Sequence, residues 1–531
     1  MKAMRYMGIL FLAFFAACST GSDLERNKEI LAVTNLSSLS AAYVDLHFYS
    51  GSSRSLHFID DKTEFRSADS SFSSVPQQGM LLKDSARASQ FNANLPPVSP
   101  AARGVRAVPA NEGDIKPFLV EDGDTGIFVS CSATLIKQGG HCNVWVDNSR
   151  YDAVDTAIRD NKVNEDQINK LAAKFDDIYL YATTLLGYEY GGEPGGSGGK
   201  DSDPRIQILV YDISSDYSPG QTGGILGYFW SKDYLSDAQL IAMGFPSYKS
   251  NNAEIFYLDA HFLDIYPDTM YSTLIHEYQH MIHFNEKQIN RTQPDSAMWY
   301  NEMLAMLAED VIGPLVGINS GSKSHVINER IPYFLSIYDW YGVNEWEKYG
   351  FPDGTDDSGL PYSTVYAFGA YLIRNYGGPQ LIRNMITNNA VDENSITQAL
   401  QSIDGSLSFE KALERYAEAL IYSSSHGGII SEASFDKTVS STINGQRYTA
   451  YRFDIWNMET SHSFTTWLKR IGYNRANHKG PYLYEPYQRY AHMSRYSVNL
   501  IAIPDNWIGR YDVSAQPNPS SRNIKLGKYR C

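Results

Sequence analysis

The run His276-Glu277-Tyr278-Gln279-His280 constrains this chain more than any other feature. It makes chemical sense on an α-helix, where residues four apart stand one turn above each other on the same side. Two imidazoles so placed can grip one zinc ion, each at about 2.0–2.1 Å. The surrounding residues allow that helix. From Thr273 to Glu286, Ile275, Tyr278 and Ile282 fall on one stripe with Met281 beside it, an apolar face able to bury the helix. Glu277 follows the first His and can reach a water at the metal without being a ligand itself.

A catalytic zinc needs a third protein ligand and one open position. The candidate is Glu302, in the helix-forming run Trp299-Tyr-Asn-Glu-Met-Leu-Ala-Met-Leu-Ala-Glu-Asp310. Twenty-one residues separate it from His280, enough for a loop and an antiparallel return. Glu309 lies two turns beyond Glu302 on the same face and can accept a hydrogen bond from the far nitrogen of a ligand His. His283 falls near the same face as His276 and is expected to be an outer-shell or exposed His. The bland alternative is a surface helix with two solvated His and a salt-bridged Glu302.

Across its 531 residues the chain is long enough for two or three domains. Four segments are expected: a signal peptide over 1–17, an N-terminal tether with a small β region over 18–113, a central domain over 114–425 that carries the His276–His280 helix, and a β-rich module over 426–531. Ser67 to Arg106 has the composition of a loose spacer. Val163 to Leu186 has helical spacing at Ile168, Leu171, Phe175, Ile178 and Leu185. Arg205–Tyr211 and Ala253–Asp259 are strand-like, and the latter could be the sheet edge that pairs with an extended substrate. The fold class is therefore α+β: an N-terminal mixed-sheet lobe and a C-terminal helical lobe.

The net charge of -15 argues against nucleic acid as a partner, because a basic stripe is needed to meet phosphates. The Gly-rich turn Gly220–Gly227 lacks the spacing and trailing Lys of a phosphate loop.

At the N-terminus, Lys2 and Arg5 precede the apolar run Met7–Phe15 and then Ala16-Ala17-Cys18. That is an export signal, too short for a comfortable membrane span. Phe15-Ala-Ala-Cys18 resembles a bacterial lipobox, with Phe15 where Leu is usual. Lipid on Cys18 would anchor the chain to a membrane outside the cytoplasm; an ordinary cleaved leader with a chance Cys is the alternative. Cys131 and Cys142 lie in two β-like runs joined by Lys137-Gln-Gly-Gly140, so a disulfide across this hairpin is expected. Cys531 has no assigned role.

The sequence resembles the glutamate-zincins, the thermolysin-like superfamily, and within it the hyicolysin family of bacterial metallopeptidases. The likeness covers roughly residues 115–425 and rests on Leu274–His283, Trp299–Glu309, the Cys131/Cys142 hairpin and Val365-Tyr-Ala-Phe-Gly-Ala-Tyr-Leu-Ile-Arg-Asn-Tyr-Gly377. It implies zinc ligands His276, His280 and Glu302, one Zn2+ per chain and Glu277 as general base. In related aminopeptidases a Tyr-x-x-Gly element supplies an oxyanion donor, and Tyr366-Ala-Phe-Gly369 matches it; the alternative is that Tyr366 is a helix core residue.

The departures are specific. Met306 stands where the thermolysin branch has an Asp, and His283 and Glu286 replace the Gly and His of the metzincin extension. The Gly-x-Met-Glu-Asn signature that reads a free substrate amine is absent, which favours cleavage inside proteins or peptides over an aminopeptidase. The expected function is a lipid-anchored zinc endopeptidase. The rival is a surface binding lipoprotein with a structural or vestigial zinc site, suggested by the anchor, the Ser-rich tether and the Tyr-rich C-terminal region.

Overall fold

A computed structural model describes residues 29–36, 43–49, 54–59, 81–83, 86–95, 110–123, 125–153, 161–294, 296–338, 341–346, 360–427, 433–470, 476–484, 496–503, 510–516 and 524–530. The signal peptide, Cys18 and Cys531 lie outside them. Among the described residues no helix is long and apolar enough to cross a membrane.

The centre of the molecule is a six-stranded sheet. Its strands are β1 (Ile115–Glu121), β2 (Phe128–Gln138), β3 (Cys142–Asp147), β4 (Ile206–Tyr211), β5 (Gly227–Phe229) and β6 (Ile255–Asp259), in spatial order β5-β6-β4-β3-β2-β1. The pairs β3/β4 and β4/β6 are parallel and the others antiparallel. Every residue of β4 and β6 is buried, as suits continuous apolar runs in the parallel middle of a sheet covered on both faces. The crossover from β3 to β4 runs through α1 (Glu165–Leu186), opened by an Asn164/Gln167 capping box. Ile168, Leu171, Phe175, Ile178 and Leu185 are all buried, as the spacing predicts.

Ile255–Asp259 is therefore not the edge strand. It is flanked by β4 on one side and β5 on the other, so the outer strand is Gly227–Phe229. That short strand follows a Gly-rich turn and gave no sequence pattern long enough to read.

A helical lobe follows: α2 (Pro267–Phe284), α3 (Met298–Ile312), α4 (Val326–Ile337), α5 (Leu360–Asn375) and three more helices ending at Ile421. The α+β architecture with a sheet lobe and a helical lobe is the expected one.

Two expectations outside the lobes fail. The segment read as spacer is packed in part: Leu81-Leu82 pair in parallel with Gly224-Ile225, and a helix at Ala86–Asn92 sets Phe91 among Trp230, Phe245 and Tyr248. The two chain ends also interleave rather than forming separate modules. Glu29–Asn35 lies between Ser497–Ile503 and Ile524–Arg530, and Tyr43–Tyr49 between Arg510–Gln516 and Arg54–Ile59, all antiparallel.

The expected Cys131–Cys142 disulfide is absent: both are free, buried thiols. Strand register explains it. Ala133 faces Asp147 and Gln138 faces Asn143, so Cys142 sits at the hairpin turn while Cys131 lies near the far end of β2. Seven strand residues lie between Cys131 and Gly139, which stands opposite Cys142, and the eight steps span about 26 Å at 3.3 Å each, whereas a disulfide needs Cα atoms within about 7 Å. Burial pushes the Cys131 thiol up to about 12, aided by Asp147.

Candidate metal centre

Helix α2 starts with Pro267 in its first turn, where a missing N–H costs nothing. Its rotation is fixed by Tyr278, which lies between His276 and His280 in sequence. The Tyr278 hydroxyl donates to Glu189 Oε2 at 2.6 Å, and its ring packs on Phe175 and Tyr179 of α1. With Tyr278 turned toward α1, His276 and His280 face the returning helix α3. α3 is buried all round, through Met303, Leu304, Met306, Leu307 and Val311, and this holds Glu302 and Glu309 at a fixed height.

The ligand atoms of His276, His280 and Glu302 all lie within 4.8 Å of one another, and this is the one such cluster among the described residues. His276 Nε2 is 3.0 Å from Glu302 Oε2, and His280 Nε2 is 3.7 Å from Glu302 Oε1. His276 Nδ1 donates to Glu309 Oε1 at 2.8 Å, which leaves Nε2 as the nitrogen facing His280 and Glu302. Glu277 is fully buried in the same layer but outside the ligand cluster.

Burial would depress His276, but Glu302 and Glu309 outweigh it and hold its proton above the usual range. Burial pushes His280 down to about 4, against a partial pull from Glu302. Burial would raise Glu309, yet Lys83 and His276 bring it down to about 2.

These residues fit a cation. His280 is buried, and neither ring nitrogen makes a well-formed hydrogen bond, since 3.7 Å to Glu302 is too long. A buried imidazole left so, aimed at a carboxylate and a second imidazole, is what a divalent ion between them would satisfy. Two His and one carboxylate is also a donor set that suits zinc with a position left open.

Tyr366 does not join this group. Its hydroxyl donates to Asp310 Oδ2 at 3.0 Å, inside a buried network where Arg374 holds both oxygens of Asp310 at 2.8 and 3.1 Å. The Gly of the same motif has a packing reason: a Cβ on Gly369 would stand 2.7 Å from Met303 Cγ on α3. Tyr366-Ala-Phe-Gly369 is thus the seam between α5 and α3, and Tyr366 is a core residue. His283 is buried rather than exposed, 2.8 Å from Ser296 Oγ through Nε2.

Several partners had little or no sequence signal. Asn301 lies beside His280 in a small cavity that Asn92 and Phe229 also line; its place directly before Glu302 was the available hint. Ser272, one turn before His276, donates to Glu309 Oε2 at 2.5 Å. Lys83 pairs with the same oxygen and, at 2.9 Å, with Glu329 Oε2.

The model of the family described as peptidase M30 matches residues 130–437. The chain is similar to the neutral metalloprotease ShpI of Staphylococcus hyicus, 26% identical over 325 residues, covering 58% of this chain and 62% of the relative. The match thus spans less than two thirds of that relative's length.

Proposed function

Because this chain belongs to the peptidase M30 family, we propose that it hydrolyses peptide bonds inside polypeptides, using one zinc ion held by His276, His280 and Glu302. The observation that carries this is the convergence of those three buried side chains on one point, with Glu309 fixing the His276 ring.

Zinc at such a site supplies Lewis acidity, polarising the scissile carbonyl and making water acidic enough to ionise near neutral pH. Glu277, one residue past the first ligand and outside the cluster, takes the proton of the attacking water and later delivers it to the leaving amine. Glu309 keeps the His276 proton on Nδ1 throughout. Tyr366 takes no direct part, because its hydroxyl is committed to Asp310. The substrate approaches from the side of the small cavity beside His280, near the outer strand β5. We further place the protein on the outer side of a membrane, through lipid on Cys18.

The test is metal content and casein hydrolysis for the wild type and Glu277→Gln. Both should hold one zinc, and the variant should lose about 10²–10⁴-fold in turnover. A Glu277→Gln protein that keeps zinc and most of its activity would sink the mechanism. Cleavage of short aminoacyl substrates but not of casein would move the assignment to an aminopeptidase.

A further inference from the structure

We propose that Lys83 is a positioning residue of the metal centre, holding Glu309 so that Glu309 can hold His276. This rests on the reading of His276, His280 and Glu302 as zinc ligands. Lys83 lies well before the residues matched by the family, in a stretch whose composition suggested only a spacer.

A Lys side chain with no exposed surface is rare, because desolvating an ammonium is costly unless it is paired. Lys83 has three partners: Glu309 Oε2, Glu329 Oε2 at 2.9 Å and Ser272 Oγ at 3.3 Å. Its position is fixed from both sides in the chain. Before it, Leu81-Leu82 pair with Gly224-Ile225, and Leu82 O accepts from Leu226 N at 2.8 Å. After it, Asn92 is locked in both directions, donating to Phe229 O at 2.8 Å and accepting from Ser231 N at 2.8 Å. Arg87 adds an ion pair with Glu121.

The effect on Glu309 follows from its two oxygens. Oε2 is held by Lys83 and Ser272, and Oε1 points at His276 Nδ1. Without the Lys83 charge, Glu309 is a buried carboxylate on the same helix face as a second one, Glu302. It would then be free to turn, and the far nitrogen of His276 would lose its fixed acceptor. Outer-shell groups of this kind typically change metal affinity or activity by about 10–100-fold.

The experiment uses the full chain with Lys83→Met, Lys83→Arg and Glu329→Gln, and reads zinc affinity by competition with a chelator. Lys83→Met should bind zinc about 10–100-fold more weakly. Lys83→Arg should recover most of that loss. Glu329→Gln, which loosens the other partner of Lys83 without touching Glu309, should bind zinc like the wild type. If Lys83→Met does not fold, Lys83→Gln carries the same test, with an affinity loss of about tenfold. Wild-type affinity in the variant that folds overturns the proposal. So does an active protein whose first residue, read chemically, lies beyond residue 83, because Lys83 would then be absent from the working protein. Zinc affinity is read without any substrate, so a chain that binds zinc but cleaves nothing defeats the proposed activity and leaves this test intact.

Discussion

Nδ1 of His276 lies 2.8 Å from Oε1 of Glu309, seven residues beyond Glu302 on α3. The contact decides which ring nitrogen is left for a metal. Replacing Glu309 by Gln keeps the size but removes the charge that favours the N–H. Zinc affinity, measured by equilibrium dialysis against a chelator, should fall by about 10–100-fold while the far-UV spectrum is retained. Unchanged affinity would mean that the outer contact is ornamental.

Tyr366→Phe should leave turnover within a few-fold of the wild type. It removes one buried hydrogen bond to Asp310, which Arg374 still holds at two points, so stability should fall by about 1 kcal/mol. Denaturant unfolding and casein hydrolysis on the same samples check both. A hundredfold loss of turnover at unchanged stability would return Tyr366 to the chemistry.

Cys131 and Cys142 should both alkylate in denaturant without any reductant, and peptide mapping should find each modified. A peptide pair joined through these two residues would show that the strand register described here is wrong.

Asp259 ends β6, accepting from Phe262 N at 3.1 Å and Ile213 N at 2.9 Å, and burial pushes its carboxyl up to about 8. An unfolded Asp titrates near about 3.9. Between those values the folded state holds a proton that the unfolded state has released, so this residue's contribution to stability declines as pH rises from about 4 to about 8. Asp259→Asn keeps a side-chain acceptor without titrating. Relative to the wild type it should gain stability between pH 5 and pH 8, by up to a few kcal/mol, as measured by urea unfolding at both values. A difference that does not change with pH would show that Asp259 is ionised throughout.

The clustering of His276, His280 and Glu302 was legible because it is local. His276 and His280 are one helical turn apart, and Glu302 and Glu309 are two turns apart on the next helix, so spacing alone puts each pair on one face. The stripe of α1 was legible for the same reason. The misses share an opposite character. Lys83 acts on Glu309 across 226 positions of chain, and nothing near Lys83 announces a buried partner. Cys131 and Cys142 invited a bridge because they flank a hairpin, but the length of β2 decides the matter. Tyr366 and Gly369 share a spacing with a catalytic element, while helix packing of Gly369 on Met303 accounts for the same spacing. The edge strand β5 has three residues, too few for any period to show.

Glu29–Asn35 is the middle strand of a sheet whose two outer strands come from the far end of the chain, with Glu29 opposite Ile503 on one side and Arg530 on the other. It is synthesised first among the described strands and must wait longest for its neighbours. Closing contacts across nearly a whole chain is slow. During that wait Ile30, Leu31 and Val33, all fully buried in the finished fold, sit on a strand with both edges open. Such strands recruit other chains. A synthesis that stalls before Ser497 therefore yields a sticky product even if the helices that carry His276 and Glu302 have formed, and chaperone demand should rise with truncation from that end.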